Sequence, residues 1–192
     1  HLLPHWNWPE RKGIITPVHV FTSGDEAELF LNGKSLGRKK KGEFEYRLRW
    51  DSVVYEPGEL KVKTYKNGKQ WAEDRLLTTD KPFRLELTAD RRAIRSDGVD
   101  LSFVTVKITD KNGLVVPDAS ALVGFSLKGP GELVATDNGD PYDLTSFSSK
   151  ERKTFNGYLL AIVRTSAGNP GTITLSAHSP GLAPAEVKII CR

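Results

Sequence analysis

His5, Trp6, Asn7 and Trp8 bring two indoles together with an imidazole and an amide. An exposed indole offers a flat apolar face to the C–H face of a pyranose, while the imidazole and amide can hydrogen-bond its hydroxyls. These four residues are candidate sugar contacts, with packing against a neighbouring domain as the alternative. Asp137, Asp140 and Asp143 fall in the run Asp137-Asn138-Gly139-Asp140-Pro141-Tyr142-Asp143 and could offer oxygen ligands to Ca²⁺. Their spacing is not that of an EF-hand, and Asp or Asn beside Gly is the usual chemistry of a tight turn, so they are weak metal candidates. No metal and no cofactor is expected.

Cleaving a glycosidic bond takes two carboxylates held across a cleft. The acids here alternate with bases along strand faces, as in Glu43-Phe44-Glu45-Tyr46-Arg47, and no catalytic pair is assigned. No Gly-x-Ser-x-Gly elbow occurs, and His178 lies in an alternating run. Gly129-Pro130-Gly131 precedes a strand and lacks the further glycine of a phosphate loop, so it reads as a turn. The run Arg38-Lys39-Lys40-Lys41 has two readings, a contact to phosphate or acidic polysaccharide and a solvated loop beside Glu43 and Glu45. The solvated loop is the expectation.

The elements that must position these residues are strands. Val18–Phe21, Ala27–Leu31, Phe44–Trp50 and Leu60–Tyr65 each place one residue in two on a common face. Asn32-Gly33 and Asn67-Gly68 tolerate the positive φ of a tight hairpin. They predict pairing of Glu28–Leu31 with Lys34–Arg38, and of Leu60–Tyr65 with Lys69–Leu77. Further strands are read at Phe83–Ala89, Leu101–Thr109, Val123–Lys128, Tyr158–Thr165, Gly171–Ala177 and Ala185–Ile190. No stretch keeps a helical apolar period for three turns, and 17 Gly with 11 Pro would interrupt one. The fold class expected is all-β, as two consecutive immunoglobulin-like antiparallel β-sandwiches. Residues 1–82 are read as the first, with 1–16 an extended linker, and 83–192 as the second, divided at Pro82, before which all four Trp lie. Expected core residues are Val20, Phe30, Leu48, Trp50 and Val62 in the first, and Leu87, Phe103, Val106, Phe125, Leu160, Ile162 and Leu175 in the second.

The 192 residues carry 38% hydrophobic and 27% charged side chains, a balance that excludes a disordered acidic chain. No apolar run approaches the roughly 18 residues that cross a bilayer, so no membrane partner is expected. Net charge is 28 minus 24, or +4. Residues 1–80 hold 14 basic and 12 acidic side chains and residues 81–192 the same, without the concentrated excess of a nucleic-acid binder. The single Cys191 allows neither an internal disulfide nor a cysteine metal site, and leaves the compartment open. The absence of Met and the opening His1-Leu2-Leu3-Pro4 lead to the expectation of a piece of a longer protein.

Two sets of motifs carry a resemblance. His1-Leu2-Leu3-Pro4-His5-Trp6-Asn7-Trp8-Pro9, Thr16-Pro17-Val18 and Glu28-Leu29-Phe30-Leu31-Asn32-Gly33-Lys34-Ser35-Leu36-Gly37 resemble the region that follows the catalytic barrel in bacterial β-galactosidases of glycoside hydrolase family two. Leu87–Asp90, Asp97–Val106, Asp137-Asn138-Gly139 and Phe155–Arg164 resemble their next domain. The resemblance implies a non-catalytic C-terminal region, because the family's two catalytic glutamates belong to a barrel with no counterpart here. It further implies a catalytic barrel of the same parent chain as partner, with a rim contribution from Trp6-Asn7-Trp8, and favours the periplasm or cell exterior for the parent. A carbohydrate-binding module is the first alternative. The second half also resembles the immunoglobulin-like repeats of surface adhesins, which makes a spacer the other.

Overall fold

The computed structural model describes residues 1–192 and separates them into two compact units, His1–Thr78 and Thr79–Arg192. Both are built from strands, and the one short helix is the 3₁₀ turn Pro9–Arg11. No helix is long and apolar enough to cross a membrane.

The first unit contains β1 (Leu2–Leu3), β2 (Val18–Phe21), β3 (Glu26–Leu31), β4 (Lys34–Lys40), β5 (Arg47–Trp50), β6 (Glu59–Lys66) and β7 (Lys69–Leu77). They form a three-stranded sheet in the order β1-β2-β5 and a four-stranded sheet in the order β4-β3-β6-β7. Asn32 and Asn67 have φ of 49° and 51°, and the glycines after them 79° and 75°, so both hairpins turn with positive φ at two successive residues, as their sequences require. The expected hairpin pairings are present, including Leu31 opposite Lys34 and Leu60 opposite Leu76. Val18, Val20, Leu29, Leu48, Trp50, Leu60 and Val62 point into one core.

Three expectations fail in this unit. Phe30 lies on the outer face of β3 under the Lys63 ammonium, because the inward phase of that strand is Ala27 and Leu29. The strand expected over Phe44–Trp50 starts only at Arg47, and Phe44 and Tyr46 before it are exposed. Residues 1–16 are not an extended linker: Leu2 and Leu3 pair with Val20 and His19, and Leu2 and Trp6 are buried in the core.

The second unit contains β8 (Arg84–Ala89), β9 (Ala93–Ile94), β10 (Leu101–Thr109), β11 (Leu122–Lys128), β12 (Gly131–Asp137), β13 (Glu151–Lys153), β14 (Tyr158–Thr165), β15 (Gly171–His178) and β16 (Ala185–Cys191). One sheet runs β12-β14-β10-β8 and the other β13-β11-β15-β16-β9. All pairings between these strands are antiparallel except β16 with β9, which is parallel. Val106, Phe125 and Leu175 are buried as expected, with Leu87 partly buried against the same core. Phe103, Leu160 and Ile162 are not: Val104, Leu159, Ala161 and Val163 take the inward positions. A strand alternates with period 2, so Phe103 and Val106 cannot share a face. In β14 both phases are apolar from Leu159 to Val163, and Arg164, which pairs with Glu132, places the even-numbered phase outside. The two-sheet arrangement of each unit is that of consecutive immunoglobulin-like antiparallel β-sandwiches.

Candidate functional site

The segment of Trp6 and Trp8 is held by the first unit itself. Trp6 is 1% exposed. Its indole N–H donates to the Glu56 carbonyl at 2.9 Å, and its ring meets Tyr55 with centroids 4.8 Å apart. Its own carbonyl accepts from the Thr78 hydroxyl at 2.7 Å. With every edge used, Trp6 has no face for a ligand, which corrects its reading as a sugar contact. Asn7 is buried beside it, and an amide enclosed by its own unit is likewise no sugar contact. Trp8 differs. It is half-buried, stacked on His5 with centroids 4.2 Å apart and planes 20° from parallel. Its indole N–H donates to the His5 carbonyl and its backbone N–H to the Tyr55 hydroxyl. His5 covers one indole face, the ring packs against the core of the unit, and the two hydrogen bonds fix its direction. Tyr55, whose ring packs on Trp6 and whose hydroxyl accepts from the Trp8 backbone N–H, has no signature in the sequence.

The Asp137–Asp143 loop is organised around a cation of the protein's own. Arg152 is 2% exposed, and its guanidinium donates to Asp143 at 2.6 Å, to the Thr145 and Ser146 carbonyls at 2.8 Å each, and to the Thr136 hydroxyl at 3.2 Å. The Asn138 amide adds a 2.9 Å bond to the same Asp143 oxygen. Bonds from Thr145, then the Arg152 guanidinium, hold the Asp143 carboxyl down to about 2. Asp137 and Asp140 accept backbone N–H groups at Gly139 and Tyr142, which is turn chemistry. The Arg152 guanidinium stands against Asp143 where a cation would have to sit, and no group of three or more ligating side chains gathers here. Arg152 sits in Glu151-Arg152-Lys153 and reads there as one exposed charge among three.

The carboxyls whose ionisation is displaced all move the same way. Glu73, Asp97, Asp100, Asp110 and Asp143 are all held below the ordinary carboxylate range, chiefly by hydrogen bonds to the ionised form. A glycosidase's general acid requires the opposite shift.

An apolar face also emerges on the first unit. Residues 13–16 run antiparallel to 53–55, with Thr16 N–H donating to the Val53 carbonyl and Tyr55 N–H to that of Ile14. Val53, Tyr55 and Thr16 face inward, whereas Ile15 and Val54, directly opposed, are 53% and 45% exposed with Ile14 alongside. Beside Val54 lies a cavity of about 550 Å³ that Leu31, Leu36, Trp50 and Val53 line.

Comparison with known proteins places these features in a family. Residues 85–188 match the family model described as glycoside hydrolase family 2 C-terminal domain 5, and residues 13–72 match a domain of unknown function. The chain is 41% identical over 189 residues to β-galactosidase BoGH2A of Bacteroides ovatus, an alignment covering 98% of this chain and 22% of that protein. It is 25% identical over 192 residues to a β-glucuronidase of Formosa agariphila, covering 98% of this chain and 19% of that protein. A solved glycosyl hydrolase family 2 member from Bacteroides cellulosilyticus superposes with a TM-score of 0.94 at 34% identity, over 99% of this chain and 24% of the other. The chain thus spans about a fifth to a quarter of the length of these relatives. With the C-terminal-domain model covering more than half of it, the chain belongs to glycoside hydrolase family 2, as a C-terminal accessory region of such an enzyme.

Proposed function

We propose that this chain is the non-catalytic support of a β-galactosidase: its first unit seats the catalytic barrel of the same parent chain and presents Trp8 to the active-site rim. The observation that carries the reading is the apolar face of Ile14, Ile15 and Val54, which nothing in its own unit covers. The downward-shifted acids support a non-catalytic role, and the name of the Bacteroides ovatus relative supports galactosides as the substrate class. The fixed, half-buried indole of Trp8 supports the rim role.

The test separates support from chemistry. Ile15→Lys with Val54→Lys should leave the 192-residue chain within about 0.5 kcal/mol of its original stability, as for substitutions at exposed positions. In the full-length enzyme the same pair should lower Tm and active yield, because two charges would be driven into an apolar contact. Equal tolerance in both contexts would sink the seating role. Trp8→Ala in the full-length enzyme should lower kcat/KM for aryl β-galactosides by about 1 kcal/mol, the loss of one stacking face. The isolated chain should turn over neither galactosides nor glucuronides.

A further inference from the structure

The run Arg38-Lys39-Lys40-Lys41, expected as a solvated loop, is largely solvent-exposed but lies on β4 up to Lys40 and is tied into the first unit. Arg38 pairs with Glu26 at 2.6 Å and lies over the Tyr65 ring at 3.7 Å. Lys39 and Lys41 donate to the backbone carbonyls of Arg49 and Thr22 at 2.5 and 2.8 Å, contacts that fix both ammonium groups without neutralising them. This brings the end of β4 beside the outer face of β5, where Arg47 and Arg49 stand opposite Phe21 and His19 of β2. Between them opens a cavity of about 640 Å³, lined by four cations (Lys39, Lys40, Arg47, Arg49) against two carboxylates (Glu45, Asp51). Its aromatic wall is Phe44, 91% exposed, and Tyr46, 67% exposed, with Arg47 over the Tyr46 ring at 5.5 Å.

We infer that this groove is a binding site for carboxylate-bearing oligosaccharides. Lys40 and Arg47, neither of which is ion-paired, supply charge for the carboxylates. Two rings exposed to water supply faces for pyranose C–H surfaces, which a bare phosphate would not use. Glu45 and Asp51 each commit one oxygen, to the Gly42 N–H and to Arg49, and keep the other for sugar hydroxyls. The same two carboxylates oppose a phosphodiester chain, whose repeated charge would meet them directly. The field of the groove registers on His19, whose imidazole is held below its ordinary value first by burial and then by Arg47 and Arg49, with Asp51 opposing. The site lies on the outer face of the three-stranded sheet and stands independently of the seating role proposed above.

The experiment is calorimetric titration of the 192-residue chain with trigalacturonate, a neutral galacto-trisaccharide and a short single-stranded oligonucleotide. Trigalacturonate should bind, the neutral sugar should not, and the oligonucleotide should bind more weakly. Raising NaCl from about 50 to about 300 mM should weaken the acidic sugar several-fold. Arg47→Gln with Arg49→Gln should weaken it about tenfold or more, and Phe44→Ala with Tyr46→Ala about fivefold, with thermal melts unchanged because these side chains are solvent-facing. NMR shifts on saturation should fall on His19 and Arg47 and not on Trp8. Binding of neutral and acidic sugars alike, tighter binding of the oligonucleotide, silence of the aromatic substitutions, or no binding of trigalacturonate would each overturn the assignment.

Discussion

At the scale of residues, two buried side chains do work that exposed positions cannot. Trp6 fills the first unit's core and spends its only donor on Glu56, so Trp6→Ala leaves both a large cavity and an unmet carbonyl. It should cost about 3 to 5 kcal/mol in urea denaturation, far more than Trp8→Ala in the same chain. Arg152 is the hub of its loop, and Arg152→Ala removes the donors of two carbonyls and a hydroxyl at once, for an expected loss of about 3 kcal/mol. Its partner makes the loop sensitive to acid. Asp143 is held down to about 2 in the folded protein and titrates near 4 in an unfolded chain. A carboxyl whose folded value is depressed stabilises at pH above its unfolded value and ceases to do so as pH falls through the folded one. Protection factors for amides across residues 137–152, taken relative to intrinsic exchange at each pH, should therefore fall between about pH 4 and pH 2, and Asp143→Asn should remove that dependence. A profile unaffected by the substitution would assign the acid response elsewhere.

At the scale of elements, glycines show which turns are held by conformation alone and which by close approach. Gly129 and Gly139 both have positive φ, 105° and 74°. A Cβ on Gly139 would meet nothing within 4 Å, whereas one on Gly129 would stand 2.2 Å from the backbone carbonyl of Thr172. Gly139→Ala should then cost about 1 kcal/mol, the left-handed penalty, and Gly129→Ala at least twice that, since β11 and β15 must part to admit it. The same reasoning explains what was legible in the chain. Asn32-Gly33 and Asn67-Gly68 specify their hairpins because few other residues adopt that turn, so pairing follows from two letters. Register in β14 was not legible, because Leu159 to Val163 is apolar in both phases and the choice falls to partners distant in sequence. The burial of Trp6, the Arg152 hub and the tethering of Lys39 and Lys41 were not legible either, because they depend on carbonyls and hydroxyls that every sequence possesses.

At the scale of the whole molecule, each unit closes a core from its own residues, and the two cores differ in what they need. The second unit's core is drawn entirely from Leu85 to Cys191. The first unit's core draws two of its members, Leu2 and Trp6, from the opening segment, and β1 completes the three-stranded sheet beside β2. Deleting residues 1–8 therefore removes an edge strand together with two buried side chains, a loss of about 5 to 10 kcal/mol by large-to-small precedent. Domains of this size hold a total reserve of about 5 to 15 kcal/mol, so the first unit should unfold or become marginal. The second unit keeps every core residue and should retain its own cooperative transition. Calorimetry of the truncated chain should show that one transition and the loss of the other, with NMR dispersion lost for residues 9–78 only. Two preserved transitions would mean that Leu2 and Trp6 contribute burial without being needed for folding, and simultaneous loss of both would mean that the second unit does not fold independently.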